Sequence, residues 1–377
     1  MGNLTRRQIL MGGGAMLGAS FVPSLVRKAV ADEIVRPAHM IRAGTNENPY
    51  GPSRVALQAI NEAMNLTNQY GRGNRNELMA LVGDINNVPV DHMALSAGSG
   101  EILKVGGLMS SWDNGSIVCA DPTYHDLTRY ALHEGAEIIR VPVDENMGGD
   151  LEALASAIRS DTVMVYLVNP NNPIPTIFDQ DELRDFVLEI SKDRMVFVDE
   201  AYFEYVDNPK YGTLIDLVAE GHRNIIVTRT ASKIHGLAAL RVGFGFSHPD
   251  HIKRINELKT GANNILGVEA AYASYQDMDF QDFTRRKNKE SMAIVEEMFE
   301  ELGVRYIKSP TNFTFFETGI PVEELNAELR EHGIMAGRPF PPFTTWSRIS
   351  MAKPEEMRYY VQTFKKLFAS RIMDSAA

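Results

Sequence analysis

The sequence predicts an α/β protein with a large domain on a mostly parallel central sheet and a smaller α+β domain behind it. Three observations lead there. Between about residues 90 and 250, short β-branched runs alternate with helical patterns, which is the sequence form of βαβ units. After about residue 265 that alternation gives way to one long helical pattern. No internal repeat, low-complexity tract or Pro/Ser-rich linker divides the two parts, so they are expected to pack closely and share a cleft. With 377 residues, 44% of them hydrophobic and 23% charged, the chain has ample material for a sizeable core.

Residues 1–31 are set apart by composition. Arg6 and Arg7 open the segment, a weakly apolar glycine-rich stretch spans 9–22, and Ala29-Val30-Ala31 forms a small-residue cleavage site before Asp32. This pattern predicts a signal peptide, because the apolar stretch is too short to span a bilayer. The string Thr5-Arg6-Arg7-Gln8-Ile9-Leu10 resembles the twin-arginine export signal of bacteria. It implies the twin-arginine export machinery as a partner, a periplasmic or otherwise exported product, and no stable membrane span after processing. If the signal is not used, the protein is expected in the cytoplasm.

Beyond it, residues 32–62 are expected to form an arm contributing to the small domain, 63–265 the large domain, and 266–377 the small C-terminal domain. Within the large domain, strands are expected at 117–120, 137–141, 163–168, 195–198 and 225–228, each bounded by polar or turn-forming residues, with a helix over 179–192. The small domain is expected to hold one helical stretch over 268–302, an apolar run at 311–317, a helix near 322–332 and a strand at 348–351.

Charge and cysteine usage narrow the function. The formal net charge is −11, and no block of five or more Lys/Arg occurs, which argues against a nucleic-acid surface and for a small-molecule partner. A single cysteine, Cys119, sits in the apolar run Ile117-Val118-Cys119-Ala120 and is expected in a buried strand. An intramolecular disulfide and a Cys-rich metal site are excluded.

In open α/β sheets ligands bind beyond the carboxyl ends of the strands, so the residues following each apolar run carry the functional signal. They are polar here: Asn169-Pro170-Asn171-Asn172-Pro173 after the run at 163–168, Asp199-Glu200-Ala201-Tyr202 after 195–198, and Arg229-Thr230-Ala231-Ser232-Lys233 after 225–228. Taken singly, each string has an ordinary use, since Asn-Pro makes turns and Asp caps helices. Together they aim several polar groups at one crevice.

In this order and spacing the set resembles the fold-type I pyridoxal-phosphate enzymes, specifically the class I/II aminotransferases and most closely their histidinol-phosphate aminotransferase-like branch. The resemblance runs from Asn46-Glu47-Asn48-Pro49-Tyr50-Gly51-Pro52-Ser53 through Gly98-Ser99-Gly100-Glu101 and Asp121-Pro122-Thr123-Tyr124 to Arg348-Ile349-Ser350. It implies pyridoxal 5′-phosphate as cofactor and transfer of an amino group between an amino acid or related amine and a 2-oxo acid. Another reaction at Cα on the same scaffold, racemase or lyase chemistry, is the alternative.

Roles follow residue by residue from that resemblance. Lys233 is the implied catalytic amine that forms the Schiff base, and Asp199 the carboxylate that keeps the pyridine nitrogen protonated. Tyr202 and Asn172 are implied partners of the cofactor O3′, and Tyr124 the ring stacked on its face. For the phosphate, Ser99 and Gly100 offer backbone N–H groups at a helix start, Thr230 and Ser232 hydroxyls, and Arg241 a guanidinium. Tyr70 resembles a tyrosine that reaches the phosphate of a neighbouring subunit, which implies a homodimer. Arg348 matches the arginine for the substrate carboxylate, a planar bidentate donor, while Arg338 and Asn48 are further implied substrate contacts. No metal is implied. The chain departs from the family at Ile174-Pro175-Thr176, where Thr-Gly usually follows Asn-Asn-Pro. His235, two residues past Lys233, is expected on a helix surface or against the substrate.

Overall fold

The computed structural model describes residues 34–376 except Arg72, Asp113 and Asn114, and side chains as far as residue 372. The segment expected to be a signal, 1–31, lies outside the described residues. The described residues from Val35 onward form one compact unit.

The chain enters through β1 (Ile41–Ala43), then builds the large sheet from β2 (Met93–Ser96), β3 (Ser116–Asp121), β4 (Glu137–Pro142), β5 (Thr162–Val168), β6 (Met195–Asp199), β7 (Ile225–Thr230) and β8 (Gly243–Ser247). Their spatial order is β2-β8-β7-β6-β5-β3-β4. The pairings β3–β4, β3–β5, β5–β6 and β6–β7 are parallel, while β8 runs antiparallel to both of its neighbours. The α/β expectation and its five strands are therefore met, each strand one or two residues longer than the apolar run that marked it.

Burial explains why those strands read as continuous apolar runs rather than as alternations. Val165, Leu167, Val196, Val198, Ile225 and Val227 belong to one core, and Met164, Tyr166, Val168, Phe197 and Ile226 to another. Successive side chains point to opposite faces, and helices cover both faces, so every position must be apolar. Cys119 is a fully buried member of the second core, and burial raises its thiol pKa to about 12. At the carboxyl ends of β5, β6 and β7 polar residues take over, with Asn169, Asp199 and Thr230 buried there.

The small domain contains β9 (Tyr306–Ile307), β10 (Phe313–Glu317), β11 (Ile334–Ala336) and β12 (Trp346–Ser350). β10 lies between β9 and β12, antiparallel to both, and β11 pairs in parallel with β1. The N-terminal arm thus joins the small domain through Ile41, Arg42 and Ala43. Helices Met278–Leu302 and Pro354–Ala376 pack together behind this sheet.

The single helix expected over 268–302 is in fact two, Ile265–Tyr275 and Met278–Leu302. Asp277 causes the break: its carboxylate accepts the Phe280 N–H at 3.1 Å and caps the second helix. Val268, Ala270, Ala271 and Tyr275 of the first helix join the large-sheet core, so this helix belongs by packing to the large domain although it lies beyond residue 265. Ile174, at the departure from the family pattern, is fully buried with Phe315, Phe340 and Trp346 of the small domain. The unusual residue in that loop therefore seats one domain on the other.

Candidate active site

The carboxyl ends of β5, β6 and β7 and the amino end of β8 open on a cavity of about 530 Å³ that the small domain closes from the far side. Of the expected residues, Ser99, Gly100, Tyr124, Asn172, Asp199, Tyr202, Thr230, Ser232, Lys233, Arg241, Arg338 and Arg348 all line it.

One end is built for an anion. Gly98, at φ 81°, turns the chain out of β2 into the helix Ser99–Ser111, leaving the first N–H groups of that helix free of helical partners. A Cβ on Gly98 would lie 2.4 Å from Arg241 Nη2, so the bare glycine lets the guanidinium rest against the loop. Arg241 itself holds a left-handed conformation, φ 57°, and its Nη1 donates to the Ala238 carbonyl at 2.9 Å. Thr230 Oγ1 and Ser232 Oγ stand 2.9 Å apart. Among the described residues no carboxylate pairs with Arg241. A helix N-terminus, two hydroxyls and a guanidinium converge, and the Asp126 carboxylate beside Gly100 is taken up by Tyr124 and Arg129, so the donor set fits a phosphate dianion.

In the middle, Asp199 ends β6 almost fully buried, and Thr228 Oγ1 donates to its Oδ1 at 2.9 Å. Burial pushes this carboxyl up to about 6, against the pull of the Thr228 hydrogen bond and of Lys233. A carboxylate so placed fits a protonated ring nitrogen, which would restore its charged form. Lys233 Nζ lies 3.4 Å from the Asn46 carbonyl and 5.2 Å from the Tyr202 ring centroid. The Tyr202 hydroxyl accepts from Asn46 Nδ2 at 2.9 Å and from Asn172 Nδ2 at 3.4 Å. Tyr124 donates to Asp126 Oδ2 at 2.9 Å; burial first and then that carboxylate hold its phenol far above the ordinary tyrosine range.

The far end carries positive charge. Arg348, 8% exposed on β12, donates from Nη1 to Asn172 Oδ1 and from Nη2 to the Gly44 carbonyl, both at 2.6 Å. Its Nε is buried without a partner, and no carboxylate pairs with it among the described residues. Burial lowers its pKa to about 10, so it stays charged at neutral pH. It shares the Phe340 ring with Arg338: the two guanidinium carbons lie 4.9 and 4.3 Å from the same ring centroid. Arg330 also lines this end.

Two expectations are corrected. Asn48 does not face the cavity; its Nδ2 donates to the Ile234 carbonyl at 2.8 Å and its Oδ1 accepts the Tyr50 N–H, so the side chain staples the chain beyond Lys233. Tyr70, expected at a neighbouring subunit's phosphate rather than at its own, is fully exposed and lies outside the cavity of its own chain. His235 is neither on a surface nor in the cavity: Gly236, at φ 68°, turns the chain inward, and the ring stacks on Tyr275 with centroids 4.0 Å apart. Burial drives its pKa down to about 3, so it is a neutral core residue. Two site residues went unassigned. Asn46 binds Tyr202, and Ser350 Oγ both donates to its Oδ1 and accepts its N–H; the signal was an Asn in a turn, a residue that tolerates its φ of 54°. His125 follows Tyr124 and touches Arg338, a contact across domains that no local pattern announces.

Comparison with known proteins agrees with this geometry. The family model described as aminotransferase class I and II matches residues 38–364. A histidinol-phosphate aminotransferase of Brevibacillus brevis is 35% identical over 297 residues, 78% of this chain and 81% of its own. The crystal structure of a candidate histidinol-phosphate aminotransferase from Erwinia carotovora atroseptica superposes with a TM-score of 0.85 at 31% identity, covering 88% of this chain and 97% of that one. A second, from Sinorhizobium meliloti in complex with pyridoxal-5′-phosphate, shares the fold with a TM-score of 0.80 at 24% identity, covering 90% and 92%.

The Asp199 carboxyl gives a pH test on the cofactor-free protein. Its folded pKa lies above the unfolded value of about 3.9, so its contribution to stability is full below about pH 4 and is lost as pH rises through about 6. Asp199→Asn is expected to unfold at higher urea than the wild type at pH 7.5, by about 3 kcal/mol, with the gap closing toward pH 4. An equal gap at both pH values would show that the carboxyl is not strained by burial.

Proposed function

The chain belongs to the class I and II aminotransferases, and from that premise we propose that its substrates carry an anion at each end. It is a pyridoxal-phosphate-dependent aminotransferase that moves an amino group between an amino acid or related amine and a 2-oxo acid. Bound in the cavity, the cofactor supplies an aldehyde that condenses with amines and a ring that accepts the electron pair freed when the substrate Cα–H bond breaks. The chain's own residues do the rest. Lys233 offers the amine and moves the proton between the substrate Cα and the cofactor C4′. Asp199 keeps the ring nitrogen protonated, and Tyr202 and Asn172 hold the O3′. Ser99, Gly100, Thr230, Ser232 and Arg241 bind the phosphate, and Tyr124 walls the ring.

The observation that carries the substrate reading is Arg348, a buried guanidinium with no counter-ion among the described residues. Removing such a charge from water costs several kcal/mol, which only an incoming anion in good geometry offsets. The carboxylate of an amino acid supplies it. Sharing the Phe340 ring, Arg338 with Arg330 faces the same cavity and fits a second anion, on the substrate side chain. A dicarboxylic amino acid meets both. The relatives' names point to histidinol phosphate, whose single phosphate presents the same chemistry to an arginine but occupies only one of the two sites, so it stands as the competing donor.

Mixing the cofactor-loaded protein with L-glutamate, L-aspartate, L-histidinol phosphate or L-leucine and following cofactor absorbance tests this. An anionic donor is expected to convert the cofactor to its amine form with release of the carbonyl product at least about tenfold faster than leucine, the discrimination of one charged contact. Glutamate and histidinol phosphate separate the carboxylate from the phosphate arm. Equal rates with leucine would overturn the reading, and a spectral change without carbonyl product would favour racemase or lyase chemistry.

The active unit is proposed to be a homodimer in which Tyr70, wholly exposed here, reaches the partner's phosphate site; Leu57 and Met64 are exposed on the preceding segment. Light scattering is expected to give twice the chain mass, and Tyr70→Phe to weaken cofactor binding several-fold, the worth of one hydrogen bond to a charged group. A monomer with full cofactor affinity would contradict it. Residues 1–31 are proposed to direct twin-arginine export to the periplasm, on the strength of Arg6-Arg7 and the Ala29-Val30-Ala31 site. A reporter fused to 1–31 is expected to reach the periplasm and to remain inside when Arg6 and Arg7 are both changed to Lys.

A further inference from the structure

We infer that His125 is a positioning residue: a neutral hydrogen-bond acceptor, locked in one tautomer, that holds Arg338 over the cavity mouth and so sets the preference for an anionic substrate side chain. The inference rests on the reading above that Arg338 receives that anion.

Three contacts carry it. His125 Nδ1 lies 3.0 Å from the Thr123 carbonyl oxygen, which can only accept, so Nδ1 bears the proton. His125 Nε2 lies 2.8 Å from Arg338 Nη2, which can only donate, so Nε2 presents its lone pair. Both contacts are satisfied by the neutral imidazole protonated at Nδ1 and by no other state. Among the described residues Arg338 is otherwise tethered at an exposed position only by its Nη1 hydrogen bond to the Pro339 carbonyl and by the Phe340 ring. A long, exposed arginine loses side-chain entropy when it is fixed. His125 bears part of that cost before substrate arrives, which is how a preorganised contact raises affinity.

The position makes the contact consequential. His125 immediately precedes the helix Asp126–His133 of the large domain, whereas Arg338 follows β11 of the small domain, so the bond ties the two walls of the mouth together. An anion arriving at Arg338 finds the guanidinium already turned inward, with Nε and the remaining N–H groups free to donate. The groups facing the imidazole are Arg338 from the small domain, Arg140 from β4, and Asp126 beside it, whose carboxylate is already shared between Tyr124 and Arg129; the Tyr124 ring lies parallel at 6.4 Å. Burial and then Arg338 hold the imidazole below the ordinary histidine range, with the Thr123 hydrogen bond opposing. At neutral pH His125 is therefore uncharged. Acid would place a second N–H and a second positive charge against Arg338 and push the arginine away.

The test uses the cofactor-loaded enzyme with two competitive probes, glutarate, which carries two carboxylates, and butyrate, which carries one. His125→Phe keeps the ring volume but removes the acceptor, and is expected to raise the inhibition constant of glutarate about three- to tenfold relative to that of butyrate, the effect of one hydrogen bond to a charged group partly replaced by water. The change should appear in KM for an acidic donor and not in kcat. His125→Gln, which offers an acceptor that does not titrate, is expected to restore the wild-type ratio at pH 7.5 and to abolish its rise in acid. Nitrogen-15 NMR of the imidazole supplies a readout independent of activity, with Nδ1 protonated and Nε2 unprotonated at pH 7.5. An unchanged ratio in His125→Phe, or a proton on Nε2 at that pH, would overturn the inference. Arg338→Met separates the two failures: if it leaves the glutarate-to-butyrate ratio at the wild-type value, the anionic-substrate reading falls; if it collapses the ratio while His125→Phe does not, only the role of His125 falls. Should His125→Phe fail to fold, the acid limb in His125→Gln and the NMR titration decide.

Discussion

A guanidinium buried without a counter-ion is the constraint around which the site is arranged. Arg348 is 8% exposed, and in place of a carboxylate it has the Asn172 amide oxygen and the Gly44 carbonyl. Two neutral acceptors direct the side chain but leave its charge uncompensated. The same Asn172 reaches Tyr202, Tyr202 reaches Asn46, and the Asn46 carbonyl faces Lys233. A hydrogen-bonded path thus joins Arg348 to Lys233, the two residues proposed to meet the substrate's anion and its amine. Five separate segments supply it: the arm after β1, the loops after β5, β6 and β7, and strand β12.

The large sheet allows such a path because its strands end together. Parallel neighbours β5, β6 and β7 bring their polar carboxyl ends to one edge, and β8, running the other way, presents Gly243 there. A Cβ on Gly243 would lie 2.2 Å from the Ser99 N atom, so the absence of a side chain is what lets the anion-binding loop close against the sheet. Beneath this edge, Arg229 pairs with Glu200 at 2.7 Å and packs on Phe203. That buried pair fastens the ends of β6 and β7, and with them Asp199 and Thr230, in fixed relation. Rigid placement matters because a reacting group displaced by even about 1 Å loses much of its effect.

Charge is distributed with the same economy across the domain boundary. Arg348 and Arg338 both lie over the Phe340 ring, so two like charges share one cavity with an aromatic ring beside each. Ile174 buries itself with the same Phe340, Phe315 and Trp346, so the loop that carries Asn172 is seated on the small domain by apolar contact. A departure from the family's usual residues thereby acquires a structural reason: the second proline and the isoleucine replace a flexible polar pair with a packed one.

What the sequence determined by itself was whatever depends on local order. Apolar runs covered on both faces, polar residues after β5, β6 and β7, and the Gly98-Ser99-Gly100 turn are consecutive in the chain, so the large sheet and the crevice that gathers Asp199 and Lys233 were legible there, while the roles proposed for them came from the family resemblance. The tertiary structure alone decided everything that depends on which way a side chain faces and what meets it from afar. Asn48 and Asn46 are two residues apart and chemically identical, yet one staples the backbone and the other binds Tyr202, because a φ of 54° at Asn46 turns it inward. His235 was read by its nearness to Lys233, but Gly236 sends it into the core against Tyr275, 40 residues away in sequence. His125 carried no signal of its own; its partner, Arg338, stands 213 residues further along the chain, and only folding brings the two together.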